Sequence, residues 1–212
     1  YFLRRGDASA TIDFAVERLR DGSSFASRAV VARQEGRALF QLTASFQRAQ
    51  TGYEHQAPMP AAPAPESLPT LEQVAAERAA AFPADTRRWA ANPRAVDMRH
   101  TKIPSYLGGA PSDGPNLAWF RTHDPIGDDP VLHAAILAYA TDLSFNDNAI
   151  RPHGRDGALG PQTMASLDHA LWLHAPARVD DWLLFVQEHR RAGGARGFAT
   201  GRVFERAGRL VA

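Results

Sequence analysis

Asp142 is the one acid between Asp129 and Asp147, in the run DPVLHAAILAYATDLSF. Nearly every other position from Val131 to Phe145 is apolar or small. The spacing predicts a single helix over this run. Asp128 or Asp129 can cap its start, and Pro130 fits the first turn, where no backbone N–H is needed. A helix apolar on all sides is a core helix, and this one is too short for a membrane span. A buried carboxylate is costly unless it is paired or hydrogen-bonded. The helix alone therefore leaves two readings of Asp142 open. It is a satisfied structural acid, or it works as a base.

Ser166, Asp168 and His169 lie together in TMASLDHALWL and suggest a Ser-His-Asp triad. The stretch alternates as a strand, which sends Ser166 and Asp168 to one face and His169 to the other. No G-x-S-x-G elbow is present. A structural His169 and a small polar Ser166 on an alternating strand are what these residues predict by themselves. His169 and His174 would face opposite ways, the other histidines are scattered, and no metal site is expected. The glycines of GRDGALG, Gly154 to Gly160, lack a lysine and a strand-loop-helix context, so a plain loop is expected rather than a phosphate cradle.

These groups must be positioned by a chain of 212 residues with 44% hydrophobic content, enough for one large domain or two small ones. The balance of 24 basic and 23 acidic residues gives no argument for a nucleic-acid partner. Only Lys102 is lysine; the other basic residues are arginine. Without cysteine there is no disulfide frame, no thiolate zinc ligand and no Cys nucleophile. No run is long and apolar enough for a membrane span, and no signal peptide is evident, which suggests the cytoplasm. The opening YFLRRGD and the closing GRLVA read as a chain lacking both ends.

Ala10 to Arg20, Phe25 to Arg33 and Ala38 to Phe46 predict an antiparallel meander, turned at Asp21-Gly22-Ser23 and Glu35-Gly36. Ala57 to Pro69 is a Pro/Ala-rich linker. Thr70 to Phe82 predicts a capped amphipathic helix ended by Pro83, and Ala95 to Arg99 and Leu117 to Thr122 predict strands. After the apolar helix, four strands are expected: Thr163 to Leu173, Asp181 to His189, Gly197 to Glu205 and Gly208 to Ala212.

The C-terminal stretch repeats the N-terminal one at an offset of 172, pairing Gly22 with Gly194, Arg18 with Arg190, Gly36 with Gly208 and Arg37 with Arg209. Two copies of one meander, the second following an apolar helix, imply a matching helix before the first. The architecture expected is α+β, a double hotdog: two antiparallel sheets, each wrapped round a central helix, the first hotdog incomplete. The domains would be 1–50, the C-terminal part of the first hotdog; 51–94, linker and short helix; and 95–212, the second hotdog carrying the Asp142 helix.

The succession LAYATDLSF, PHG, SLDHALWLH and ARGFATGRVFERAGRLVA resembles the type II, TesB-like acyl-CoA thioesterases. So do YFLRRGD, ERLRDGSSFASR, TASFQ and HQAPMPAAPAP, and the resemblance runs along essentially the whole chain. It implies hydrolysis of fatty acyl-CoA to a free acid and CoA by direct attack of an activated water. It implies Asp142 as the base and Ser166 as the hydroxyl that holds the same water, with a Gln expected beyond Ala212. It leaves Arg196 as a candidate contact for a CoA phosphate, against the plain reading of an exposed strand-end arginine. The expected partner is the acyl-CoA substrate, with no cofactor, no nucleic acid, no membrane and association into a homo-oligomer. Two other readings compete: a hotdog enoyl-CoA hydratase, which would need an Asp/His pair at short spacing, where the residue five after Asp142 is Asp147 and the nearest downstream histidine is His153, in a loop, and a non-catalytic acyl-CoA-binding module.

Overall fold

The computed structural model describes residues 1–81, 92, 94–154 and 164–212. It divides into two compact units, Tyr1–His55 with Ser166–Ala170, and Gln56–Ala165 with Leu171–Ala212.

The first unit is an antiparallel meander of β1 (Asp13–Asp21), β2 (Phe25–Gln34) and β3 (Arg37–Gln47), in that order. Glu35 and Gly36 both take positive φ, at 48° and 75°, giving the two-residue turn whose twist matches that of its strands. β1 carries a bulge: Arg18 pairs with Arg28 and Arg20 with Ser27, so Leu19 is skipped. The amide of Gln34 holds the N-terminal segment to the sheet. It donates to the carbonyls of Asp7 and Ala10 at 2.7 and 2.9 Å and accepts from the Asp7 N–H at 2.9 Å.

The second unit is built on a four-stranded antiparallel sheet of β4 (Val96–His100), β5 (Asn116–Thr122), β6 (Leu183–Gly193) and β7 (Arg196–Glu205). Its inner face is Val96, Met98, Ala118, Phe120, Leu183, Phe185 and Val203, packed with Leu137 and Ala140 of α2 (Pro130–Asp142). The outer face presents Trp119, Trp182, Leu184, Val186 and Phe204, and Met59, Ala62 and Leu68 pack on it. The Pro/Ala-rich stretch is therefore a strap over the outer face. Trp119 Nε1 donates to the Pro63 carbonyl at 2.8 Å, and Arg99 Nη1 to that of Pro65 at 3.0 Å. The helix of the strap, α1, spans Leu71–Glu77 and has the reciprocal cap between Thr70 and Gln73. A 3₁₀ turn over Ala79–Ala81 follows, and Phe82 and Pro83 lie outside the described residues.

The repeat is visible in the strands themselves. β6 skips Arg190 between the pairs His189–Ala199 and Arg191–Phe198. That bulge falls within one position of the counterpart of Leu19. The turn after β6 uses Gly194 and Ala195, both at φ 57°.

Three expectations are corrected. Residues 164–173 form no strand, because the alternating pattern there has no ladder to join. The carbonyl of Leu167 accepts only the Phe2 N–H, at 3.0 Å, among the backbone bonds of the described residues. Gly208–Ala212 makes an isolated bridge, Phe204 to Leu210, rather than a strand. The apolar helix is neither continuous to Phe145 nor covered all round. It stops at Asp142, a second helix, α3, covers Phe145–Ile150, and Val131 and Tyr139 are 74% and 46% exposed. Apolar composition shows that a helix has no polar face; it does not show which faces are covered.

Candidate active site

Asp142 is the last residue of α2 and is half-buried. The helix that carries it starts as expected, with Asp129 Oδ1 accepting the Val131 N–H at 2.9 Å and Pro130 in the first turn. His133, one turn in, is a satisfied structural histidine. Its Nδ1 accepts the Val179 N–H at 3.1 Å, which leaves Nε2 to donate to the Gly127 carbonyl at 2.9 Å. Near its end Thr141 turns its hydroxyl back to the Leu137 and Ala138 carbonyls at 3.0 and 3.1 Å. The chain then leaves helical geometry, with Ser144 at φ −121°, ψ −2°, and re-enters it at Phe145.

α3 seats tightly on the sheet. The Phe145 ring meets Phe185 edge-on, centroids 5.1 Å apart, and Phe185 meets Phe120 in the same manner at 6.4 Å. Glycines make the room. A Cβ on Gly201 would stand 2.4 Å from Phe185, and one on Gly197 would stand 2.4 Å from Ala149.

Under α3 the inner face of the sheet turns polar. Asn116 and Gln187 stand opposite each other on β5 and β6, in phase with the apolar positions Ala118, Phe120, Leu183 and Phe185. Both are buried. Gln187 Oε1 accepts from Ser144 Oγ at 3.0 Å and from Asn148 Nδ2 at 2.8 Å. Asn116 Oδ1 accepts from Arg151 Nη1 at 2.9 Å. Asp147 Oδ1 accepts the Ser105 N–H at 2.9 Å. Burial raises the Asp147 carboxyl above its ordinary range, against the pull of the Ser105 hydrogen bonds and of Arg151. Burial lowers Arg151, with Asp147 opposing, and raises the Tyr106 phenol, with Asp147 adding to the rise. Burial and the Arg151 charge together push His100 down to about 4, so its ring is neutral at pH 7.

Ser166 is half-buried and belongs to the first unit, in the segment Ser166–Ala170, whereas Asp142 belongs to the second. Arg196 is exposed at the start of β7, beside the Gly194-Ala195 turn. His153 is exposed while Asp147 is buried. Of GRDGALG, residues 155–160 lie outside the described residues. Among the described residues no group of three or more His, Asp or Glu side chains is placed to hold a metal ion. No described helix is long and apolar enough to cross a membrane.

The polar cluster of Asn116, Gln187, Asn148 and Arg151 does not stand out from the sequence. Its signal is nonetheless present, since Gln187 interrupts an otherwise apolar alternation in phase with Leu183 and Phe185.

Two antiparallel sheets of three and four strands, with the repeat between them, define an α+β double-hotdog protein whose first hotdog is partial. The family model for acyl-CoA thioesterase matches residues 88–212, and that for the acyl-CoA thioesterase N-terminal domain matches residues 1–47. A mouse acyl-coenzyme A thioesterase 8 is 34% identical over 219 residues, covering 100% of this chain and 68% of the relative. Acyl-CoA thioesterase 2 of Haemophilus influenzae is 32% identical over 213 residues, covering 100% of this chain and 74% of the relative. The crystal structure of an acyl-CoA thioesterase II from Mycobacterium marinum superposes with a TM-score of 0.75 at 40% identity, over 100% of this chain and 74% of that one. The chain belongs to the acyl-CoA thioesterase family and is a thioester hydrolase.

Proposed function

We propose that the protein hydrolyses fatty acyl-CoA by direct attack of a water molecule that Asp142 deprotonates. The observation that carries this reading is the placement of Asp142, a half-buried acid ending an otherwise uncharged helix in a chain of this family. The water oxygen bonds to the thioester carbon while its proton passes to the Asp142 carboxylate. The tetrahedral intermediate then expels the CoA sulfur, which takes a proton and leaves as the thiol; the acid leaves from the other side of the broken C–S bond. A thioester is already activated, and a positioned general base contributes roughly 10²–10⁴ in rate. Ser166 holds the same water in this reading, and Arg196 meets a phosphate of CoA. No acyl-enzyme forms. Association into a homo-oligomer belongs to the same reading, supported by the apolar side chains of Val131 and Tyr139 that α2 leaves exposed.

The test is a single turnover of a panel of acyl-CoAs in ¹⁸O-labelled water, with free thiol followed in parallel. Direct attack puts one labelled oxygen in the released acid and leaves the protein mass unchanged throughout. A mass increase equal to the acyl group, appearing and decaying with thiol release, contradicts the mechanism. Failure to release thiol from any chain length contradicts the function.

A further inference from the structure

We propose that Gln187 is a positioning residue for the hydrolysis: its side-chain oxygen clamps Ser144 and Asn148 and so fixes the direction in which α2 delivers the Asp142 carboxylate. This rests on Asp142 being the base.

The clamp joins an interior strand of the second unit to the junction between two helices. β6 is an interior strand, paired on both sides with β5 and β7. The junction of α2 and α3 is the point where helical hydrogen bonding is interrupted, at Leu143 and Ser144. Gln187 Oε1 reaches across to this junction and accepts two hydrogen bonds there, from Ser144 Oγ at 3.0 Å and Asn148 Nδ2 at 2.8 Å. Asn148 Nδ2 also bridges back to the Ser144 and Phe145 carbonyls at 3.3 and 3.2 Å, so one amide ties the first turn of α3 to the strand. Asp142 lies two residues before Ser144, so a rotation of the junction about β6 would carry its carboxylate with it.

Gln187, Ser144 and Asn148 are 0%, 2% and 1% exposed. Among the described residues the Nε2 of Gln187 has no hydrogen-bond partner, so half of the amide is buried without one there. Such a group is costly, and what offsets it is the pair of hydrogen bonds that the oxygen accepts from Ser144 and Asn148. An amide kept in a row otherwise made of Leu183 and Phe185 is explained by what its oxygen holds.

The experiment measures kcat and KM for acyl-CoA hydrolysis by wild type, Gln187→Met, Gln187→Glu and Ser144→Ala, each with and without Asp142→Asn. Gln187→Met keeps the length and removes the acceptor. It is expected to lower kcat on the order of 10²-fold, the cost of misplacing a catalytic group by about an ångström, with KM nearly unchanged. Gln187→Glu keeps an oxygen at the same reach and is expected to recover most of that kcat. In the Asp142→Asn background, Gln187→Met is expected to cause no further loss, because it acts through the carboxylate already removed. Ser144→Ala deletes one of the two bonds with little change in shape, and a roughly tenfold loss of kcat is expected from it. Wild-type kcat in Gln187→Met overturns the proposal, as does a Gln187→Met loss that multiplies with that of Asp142→Asn. If Gln187→Met fails to fold, the Ser144→Ala result decides. Full activity in Asp142→Asn alone overturns the base assignment, and the clamp with it. An inactive Asp142→Asn beside a fully active Gln187→Met overturns the clamp only.

Discussion

Arg151 donates from Nη1 to Asn116 Oδ1 at 2.9 Å within the protein interior, where Arg151 is 2% exposed. This buried cation is one reason the neighbouring His100 resists a proton; burial is the larger one. The ring titrates at about 4 in the folded chain, against an ordinary histidine value of 6.5. As pH falls below 6.5 the unfolded chain takes up the proton first, so the stabilisation present above that pH is lost on the way down to about 4. Between pH 7 and 4.5 that loss is about 2–3 kcal/mol. Urea unfolding at the two pH values should show a fall larger by this amount in wild type than in His100→Gln. An equal fall in both would mean that His100 is not the buried neutral group described here.

Gly201 is expected to tolerate no side chain. A Cβ there would stand 2.4 Å from Phe185 and 3.0 Å from Phe145, and both rings are wedged against their neighbours. Gly201→Ala should cost about 1–3 kcal/mol, as overpacking of a filled core does. Thermal unfolding reads this directly, and a variant with the wild-type midpoint would contradict the packing of α3 on the sheet.

Ser166→Thr and Ser166→Ala separate a working hydroxyl from a small polar surface residue. If the hydroxyl holds the attacking water, the Ala variant loses about 10- to 100-fold in kcat, consistent with a net hydrogen bond worth about 1.5–3 kcal/mol to a reacting group. The Thr variant keeps most of the rate. Equal rates in all three would assign Ser166 a structural place only.

Arg196 is expected to act on binding and not on chemistry. Its exposed guanidinium should attract a CoA phosphate through solvent, so Arg196→Ala should raise KM by a few-fold at low salt and leave kcat unchanged. The difference should fade as salt is raised. A KM equal to that of wild type at low salt would remove Arg196 from the binding surface.

The parts of the fold legible in the sequence were those with strong local chemistry. The turn at Glu35-Gly36, the Thr70 cap and the Asp129-Pro130 helix start each rest on one or two residues whose local chemistry decides the outcome. The repeat was legible because its glycines recur at a fixed spacing. Residues 164–173 alternate without forming a strand because alternation reports only that a segment would suit a ladder, and whether a neighbour exists is a tertiary matter. The break at Leu143–Ser144 was hidden for a similar reason. Leu, Ser and Phe do not stop a helix by propensity, whereas the packing of Phe145 on Phe185 and the pull of Gln187 on Ser144 set a new helix start. The position of Asp142 at the end of α2 could not be read without that break.

Asp142→Asn is the most direct test of the central claim. The negative end of the macrodipole of α2 falls at Asp142, where a carboxylate is expected to cost about 0.3–1 kcal/mol. The variant should therefore fold with unchanged or slightly raised stability while free-thiol release from acyl-CoA falls by at least about 10²-fold. The measurement is thiol release at saturating acyl-CoA beside a thermal unfolding curve of the same sample. Loss of turnover with the unfolding midpoint preserved is the predicted result. Turnover within about twofold of wild type would contradict Asp142 as the base and, with it, the proposed mechanism.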